Sequence, residues 1–287
     1  MNAKKTINFQ KYSIYIVLVV LFATCSIISP YFLQSNNILS VTRQLCVGIL
    51  IAYGEMILII SGFIDLSVGA VLALAGVLSV ASYKATGSML IAMLVAVGVG
   101  ILCNLFNAVF VAQFGVAAFI STLGMQEIAR GLALYFTNGQ NILQLGDYVD
   151  IGQGMLGFIP IPVVIVIIIT AAIWYIMSNT KYGRGVYAIG GNRRAAEASG
   201  IKTKKSIYTS YIINGILAGF AGMIFMARNN AGLPNGAVGY EMTGLTAAIV
   251  GGTSMTGGIG NVPGTSADTF AAWLTNEMKK LRKAILI

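Results

Sequence analysis

Apolar runs long enough to cross a bilayer recur along the whole chain, with short polar segments between them. The second of these runs, from Val47 to Ala81, contains 35 residues. A straight helix of that length would measure about 52 Å, well beyond a hydrocarbon core of about 30 Å. We therefore predict that the run breaks into two helices at Ser61-Gly62, because glycine tolerates the backbone dihedral angles that a break requires.

The other apolar runs predict the remaining membrane segments, so that the chain is expected to be all-α, a polytopic transmembrane helical bundle of about eight segments. In chain order the predicted segments are residues 12–32, 42–60, 66–83, 89–111, 117–136, 160–177, 207–227 and a weakly apolar 242–259. The Gly-rich run 251–260 favours close helix packing or a broken, re-entrant helix, since no lysine follows it as a phosphate-binding loop would require. Gly215 and Gly219 also predict close helix packing.

The composition places the chain among membrane proteins. Of its 287 residues, 57% are hydrophobic and 9% are charged, against about 25% charged residues in soluble domains. The chain has no histidine, and its three cysteines are isolated in apolar sequence. The sequence therefore predicts neither a metal site nor a disulfide framework. Without a serine–histidine or cysteine–histidine pair, we predict that the protein is not an enzyme.

The basic residues cluster on one side of the predicted segments. Three lysines precede the first segment, seven basic residues lie within 179–206, and four lie within 279–283. Because cytoplasmic loops carry an excess of lysine and arginine, this pattern predicts a cytoplasmic N-terminus. The net charge of +9 then reflects orientation in a membrane, and nucleic-acid binding is not expected.

Two acids, Glu55 and Asp65, lie in the long second run. An acid at the centre of a bilayer costs about 2.5–3.5 kcal/mol and is rarely kept without a use, so an ion or proton site is one interpretation. Near the membrane border an aspartate can cap a helix at little cost, and we favour this interpretation for Asp65. Glu55, about two turns deeper, is the better candidate for a polar pathway residue. Glu127 and Arg130, three residues apart, predict a structural pair on one helix face.

The basic segment 179–206 contains a short helix with both caps. Asn192 is a suitable N-cap, residues 193–199 make about two turns, and Gly200 is a natural C-cap. Such a helix has no core of its own, and we expect it to dock onto another protein. The alternative is a solvated basic loop, which explains the lysines but not the capped helix.

Four motifs between residues 12 and 265 resemble those of permease subunits of ribose-type ABC importers for monosaccharides. They are SGFIDLSVG (61–69), YAIGGN…SGI (187–201), LPNGAVGYE (233–241) and GGTSMTGG (251–258). By this resemblance, the structural motif residues are Gly62, Asp65, Gly69, Pro234, Tyr240, Glu241, Gly251 and Gly252. The resemblance assigns the coupling helix of such permeases to Asn192, Arg193, Arg194, Ala195, Ala196, Glu197 and Gly200. Arg194 stands where an acid is usual, and Phe63 replaces a common glycine.

The resemblance implies a transporter of several subunits in a bacterial cytoplasmic membrane. Two permease copies, or two related permeases, would form the pathway through the lipid bilayer. A cytoplasmic ATPase dimer would bind ATP, and an extracytoplasmic binding protein would deliver the sugar. No cofactor is then expected in this chain. Its function would be the import of a ribose-like or related simple sugar. The alternative is an ion-coupled secondary transporter that uses Glu55 and Asp65.

A neutral sugar favours hydroxyl and amide partners along its pathway. Gln44, Asn104 and Asn107 are therefore candidate pathway residues, together with Glu55. Each of these side chains could instead bind a neighbouring helix.

The C-terminal segment departs from the resemblance, because permeases of this family continue into further apolar helices, about ten in all. Residues 266–287 instead place apolar positions at helical spacing with basic residues between them. This pattern predicts a permease domain over 1–265 and an interfacial amphipathic tail over 266–287. It also suggests a chain that is truncated or altered at this end.

Overall fold

Helices dominate the computed structural model, which describes residues 9–28 and 31–271. The helices are α1 (Phe9–Ile28), α2 (Ser35–Ile60), α3 (Val68–Thr86), α4 (Met89–Ala112), α5 (Ala118–Thr137), α6 (Asp150–Gln153), α7 (Ile161–Asn179), α8 (Lys181–Gly191), α9 (Arg193–Ala198), α10 (Thr203–Asn229) and α11 (Tyr240–Val250). A further helix begins at residue 262 and is described as far as residue 271. The prediction of an all-α membrane bundle is confirmed at this level.

Two short antiparallel strand pairs join the connections between helices. β1 (Ile142–Leu143) pairs with β4 (Ala231–Gly232), and Ile142 lies opposite Gly232. β2 (Met155–Leu156) pairs with β3 (Ile159–Pro160) to form a small hairpin just before α7. The β1–β4 pair holds the connection between α5 and α7 against the connection that follows α10.

The predicted break in the long second run is confirmed. α2 ends at Ile60 and α3 begins at Val68. Gly62 has a φ of +84°, a value that side chains with a Cβ rarely adopt. The chain therefore turns at Gly62, which is exposed, and becomes buried again from Asp65 onward before it enters α3.

The core is built around α10, which packs against α2, α3 and α4. Small residues allow the closest of these approaches. A Cβ on Gly215 or Gly219 of α10 would overlap backbone atoms of α4 at Gly100 or Ala96. The prediction that these two glycines serve helix packing is confirmed.

Five of the described helices are long and apolar enough to cross a membrane, namely α2, α3, α4, α7 and α10. The predicted segment over 242–259 is wrong, because α11 has 11 residues, about 16 Å of helix, and a turn-rich stretch follows it. The prediction for 179–206 is incomplete, because α8 occupies residues expected to be loop. The total of about eight membrane segments stays a prediction.

The bundle has two ends that differ in what covers them. At one end, here called the α6 end, the connection 138–160 packs onto the helices. Tyr148 of this connection is fully buried and its hydroxyl lies 2.9 Å from Ser79 Oγ, while Lys84 Nζ donates to the Leu143 carbonyl. At the opposite end, the α9 end, α8 and the stretch 251–261 lie against the end of α2, and α9 packs against α8 and α10. Most of the predicted C-terminal tail lies outside the described residues.

Candidate functional site

Segments from three of the four motifs meet at the α9 end. The Gly258 amide donates to the Ile60 carbonyl at the end of α2, with an N–O distance of 2.9 Å. A Cβ on Gly190 of α8 would overlap both of these groups. Tyr187 Oη also donates to the Gly260 carbonyl at 3.0 Å. The end of α8 is thus fixed between α2 and the 251–260 stretch by backbone contacts that leave no room for a side chain.

Both predicted caps of α9 are confirmed. Asn192 Oδ1 accepts a hydrogen bond from the Ala195 amide at 3.0 Å. At the other end Gly200 has a φ of +81°, its amide donates to the Glu197 carbonyl, and the Ile201 amide donates to the Ala196 carbonyl. This pair of bonds is a Schellman motif, which satisfies the last carbonyls of a helix. Six helical residues are therefore held in a defined conformation.

The side chains of α9 fall into a buried and an exposed group. Ala196 is buried, whereas Arg193, Arg194, Ala195 and Glu197 are exposed. Glu197 Oε1 accepts from Thr203 Oγ1 at 2.7 Å and from Arg193 Nε at 3.2 Å. The Thr203 hydrogen bond and then Arg193 lower the pKa of the Glu197 carboxyl below its ordinary value. Arg194 and Ala195 therefore belong to the exposed surface of the helix, together with Arg193 and Glu197.

Asp65 lies in the protein interior and is not the predicted N-cap of α3, whereas its place near the membrane border stays a prediction. Its side chain is fully buried, and the N-cap position of α3 is Ser67. Asp65 Oδ1 accepts from the Ser67 amide and hydroxyl at 2.7 and 2.5 Å. Oδ2 accepts from Asn214 Nδ2 of α10 at 2.7 Å. The aspartate therefore joins the turn after α2 to a helix 149 residues away along the chain.

Glu55 belongs to the same region. Its Oε2 accepts the Asp65 amide at 3.3 Å, and its Oε1 is buried without a hydrogen-bond partner among the described residues. Asn214 also donates to Asn104 Oδ1 at 3.1 Å, and Asn107 Nδ2 donates to Ser67 Oγ at 3.2 Å. All of these side chains are fully buried. We call Glu55, Asp65, Ser67, Asn104, Asn107 and Asn214 the buried polar cluster.

The pathway role of Glu55, Asn104 and Asn107 stays a prediction, and the observed contacts match the alternative in which they join helices. Gln44 is not brought together with them, because it lines a cavity at the α6 end. Sequence reasoning missed Asn214. Its only local signal is an amide in the middle of an apolar helix, which is costly unless it finds a partner.

The LPNGAVGYE motif packs against α3 and α5. A Cβ on Gly69 of α3 would lie 2.5 Å from Glu241 Oε2 and 2.7 Å from the Ala237 carbonyl oxygen. Arg130 Nη1 donates to the carbonyls of Pro234 and Gly236, at 2.7 Å each. No ion pair within 4.0 Å joins Glu127 to Arg130 among the described residues, and the Arg130 guanidinium fixes this turn.

The remaining motif residues have packing roles. The Tyr240 ring stands edge-on to Phe225, with 5.5 Å between the ring centroids. A Cβ on Gly251 would collide with the backbone of Gly264 and Thr265. Gly252 has a φ of +98°, which a residue with a Cβ rarely adopts. The lack of space for a Cβ at Gly251 and the positive φ at Gly252 explain why glycine occupies these two positions.

Comparisons with known proteins agree with this arrangement. A family model described as "Branched-chain amino acid transport system / permease component" matches residues 37–283. The chain is 36% identical over 276 residues to the ribose import permease protein of Haemophilus influenzae, covering 92% of this chain and 85% of that protein. It is 37% identical over 257 residues to the ribose import permease protein of Escherichia coli K12, covering 87% and 79%.

A third relative is the D-allose transport system permease protein of Escherichia coli K12, 36% identical over 268 residues, covering 91% of this chain and 82% of the relative. No solved structure matches the chain. The family model covers most of the chain, and the ribose permeases match along nearly all of it. The chain therefore belongs to this family of transport permease components and is a ribose-type ABC permease.

Proposed function

We propose that this protein is the membrane-spanning subunit of an ATP-binding cassette importer and carries a simple sugar of the ribose type. The names of the relatives support this substrate class, since they are permeases for ribose and D-allose. The ion-coupled alternative is not favoured by these relatives. In addition, Glu55 and Asp65 are enclosed in the buried polar cluster, and Asp65 is held by three hydrogen bonds from Ser67 and Asn214.

The observation that carries the mechanism is the geometry of α9. This helix is capped at both ends, stands outside the bundle and exposes Arg194 and Ala195. Gly190, just before it, touches the end of α2 directly. We propose that a cytoplasmic ATPase subunit, which binds the ATP, docks on α9, and that its closure moves α8 and α9 against α2. The membrane helices would then alternate between two arrangements.

The proposed orientation rests on the distribution of basic residues. All seven basic residues of segment 179–206 lie at the α9 end, namely Lys181, Arg184, Arg193, Arg194, Lys202, Lys204 and Lys205. The positive-inside rule supports a cytoplasmic α9 end and, with it, a cytoplasmic N-terminus. The α6 end would then face the other side of a bacterial cytoplasmic membrane, where a sugar-binding protein would dock.

We propose that a second permease copy packs against the exposed face of α5. Leu123, Glu127, Ile128 and Leu132 are exposed along this helix. A carboxylate within an apolar helix face is costly against lipid, so this face is better covered by protein or by a polar pathway. Two copies that meet at α5 would place Glu127 beside the pathway between them.

The test is reconstitution into liposomes with the partner ATPase and the sugar-binding protein. We expect uptake of ribose or a related sugar that depends on ATP and on both partners. Uptake by this chain alone, driven by an ion gradient, would contradict the proposal.

The docking role of α9 is tested by Ala195→Trp. The large side chain should block the approach of the ATPase without disturbing the bundle, because Ala195 is exposed. We expect membrane abundance to be unchanged and ATPase capture to be lost. Asn141→Trp is the control, since Asn141 is exposed in the connection at the opposite end. Normal capture by Ala195→Trp would show that the ATPase docks elsewhere.

A further inference from the structure

A polar cavity of about 400 Å³ opens at the α6 end, far from α9. It lies between the first turns of α2, the last turn of α10 and the end of α6. Its lining residues are Ser40, Arg43, Gln44, Gln153, Arg228 and Asn229. The volume falls within the range of small-ligand sites, about 300–1,000 Å³. The transport mechanism proposed above does not use this cavity.

The cavity concentrates positive charge. Arg43 Nη2 donates to the Gln153 carbonyl, and the Arg228 guanidinium lies over the Phe225 ring, 5.9 Å from its centroid. The Nε atoms of both arginines are buried and have no hydrogen-bond acceptor among the described residues. Among the described residues, neither arginine forms an ion pair with a carboxylate.

Two guanidinium groups that share one cavity and keep buried Nε donors without an acceptor favour a ligand of opposite charge. Arginine is well matched to phosphate, because its planar N–H groups can bind two oxygens at once. A neutral sugar would satisfy the donors but would leave two like charges uncompensated. The chemistry of the cavity therefore favours an anion with several oxygens.

The surroundings indicate where such an anion comes from. The cavity lies near the start of α2 and the end of α10, two helices long enough to cross a membrane, and a bilayer spanned by these helices would place lipid headgroups near it. Beside it stands the β2–β3 hairpin, whose Met155, Leu156 and Phe158 are 42%, 66% and 87% exposed. Arg43 Nη2 also contacts Met155 Sδ at 3.5 Å, which fixes the hairpin at the edge of the cavity.

We propose that this cavity binds the phosphate group of an anionic phospholipid. Arg43 and Arg228 hold the phosphate, the amides of Gln44 and Asn229 contact the polar headgroup, and an acyl chain lies along the exposed apolar hairpin. The site would anchor the connection between α5 and α7 to the end of the bundle.

The experiment measures lipid binding to the purified, delipidated protein in detergent. Native mass spectrometry detects the bound lipid, and thermal unfolding reports the stabilisation that it causes. Phosphatidylglycerol is titrated against phosphatidylcholine. We expect the wild type to bind phosphatidylglycerol preferentially. Arg43→Gln and Arg228→Gln should each weaken that binding about tenfold or more, because each removes a charge-assisted hydrogen bond. Lys84→Gln, which removes one positive charge at the same end but outside the cavity, should change it little.

Two further measurements keep the test decisive. Arg43→Lys and Arg228→Lys retain the charge and should bind phosphatidylglycerol better than the Gln variants, which separates lost binding from misfolding. Inorganic phosphate is tested alone. Stabilisation by inorganic phosphate without any by phosphatidylglycerol would overturn the assignment to a lipid. Equal phosphatidylglycerol binding by the wild type and both Gln variants would overturn the site itself. Loss of binding-protein capture in the Gln variants, with lipid binding unchanged, would assign the arginines to a protein partner instead.

Discussion

Asn214 and Asp65 carry the most consequential contact at the residue scale. Asn214 Nδ2 serves both Asp65 Oδ2 and Asn104 Oδ1, and Gly54 on the facing helix leaves the space that the amide occupies. An acid inside a membrane protein is costly unless its oxygens are satisfied. The buried polar cluster therefore specifies how α2, the turn after it and α10 fit together.

We predict that Asn214→Ala destabilises the folded protein by about 1–3 kcal/mol, because a buried carboxylate oxygen loses its donor. Thermal unfolding of the purified protein in detergent measures the effect. Thr209→Ala is the matched control on the same helix, since its hydroxyl bonds only to the Lys205 carbonyl of α10. Equal melting temperatures for the two variants would show that the amide contributes little.

Gly190 gives a second residue-scale prediction. A Cβ there meets the Ile60 carbonyl and the Gly258 amide, which are backbone atoms that cannot rotate away. We expect Gly190→Ala to lower stability by about 1–3 kcal/mol through overpacking and to reduce ATP-dependent uptake. The neighbouring Gly191 has open space at its Cβ position, so Gly191→Ala should be tolerated. A normal Gly190→Ala protein would contradict the close contact of α8 with α2.

At the scale of elements, α9 is a short helix that depends on its caps. With six residues it is far too short to be stable by itself. The Asn192 cap, the Schellman motif at Gly200 and the tie from Glu197 to Thr203 supply the order that length does not. This makes the helix a rigid contact surface, although it has almost no core.

The cap can be tested alone. Asn192→Ala should reduce the local stability of α9 by about 1 kcal/mol, which corresponds to roughly fivefold faster hydrogen exchange at the Ala195 amide if that amide exchanges by local opening. Asn192→Asp keeps an acceptor at the cap and should exchange like the wild type. If Asn192→Ala left exchange unchanged, the cap would not be what orders the helix.

At the scale of the whole molecule, the two ends of the bundle have different chemistry. The α9 end carries the basic segment 179–206 with the capped helix α9, whereas the α6 end carries a folded connection and the polar cavity. A transporter that meets an ATPase on one side and a binding protein on the other requires this kind of asymmetry.

Orientation is predicted from that asymmetry. In a variant with Cys25, Cys46 and Cys103 replaced by alanine, we expect Asn141→Cys to react with a membrane-impermeant maleimide from outside intact spheroplasts. Arg194→Cys should react only in inverted vesicles. Both positions are exposed, so access to the label depends on the side of the membrane. The reverse pattern would contradict a cytoplasmic α9 end.

The sequence by itself determined the features that depend on neighbouring residues. Runs of apolar side chains predicted the membrane helices, Gly62 predicted the break after α2, and Asn192 and Gly200 predicted both caps of α9. These signals are local, since span length, backbone freedom at glycine and capping act within a few residues. The four motifs also indicated the protein family, because their order and spacing are specific to it.

Only the tertiary structure decided the features that depend on distant residues. Asp65 was expected to cap the helix that follows it, but its carboxylate accepts a hydrogen bond from Asn214, 149 positions away. Arg130 was expected to pair with Glu127 and instead holds the turn at Pro234 and Gly236. A buried polar group takes whichever partner the packing brings within hydrogen-bond distance, and that partner cannot be identified from local spacing. The cavity with Arg43 and Arg228 arises in the same way, from helices that are adjacent only in the folded protein.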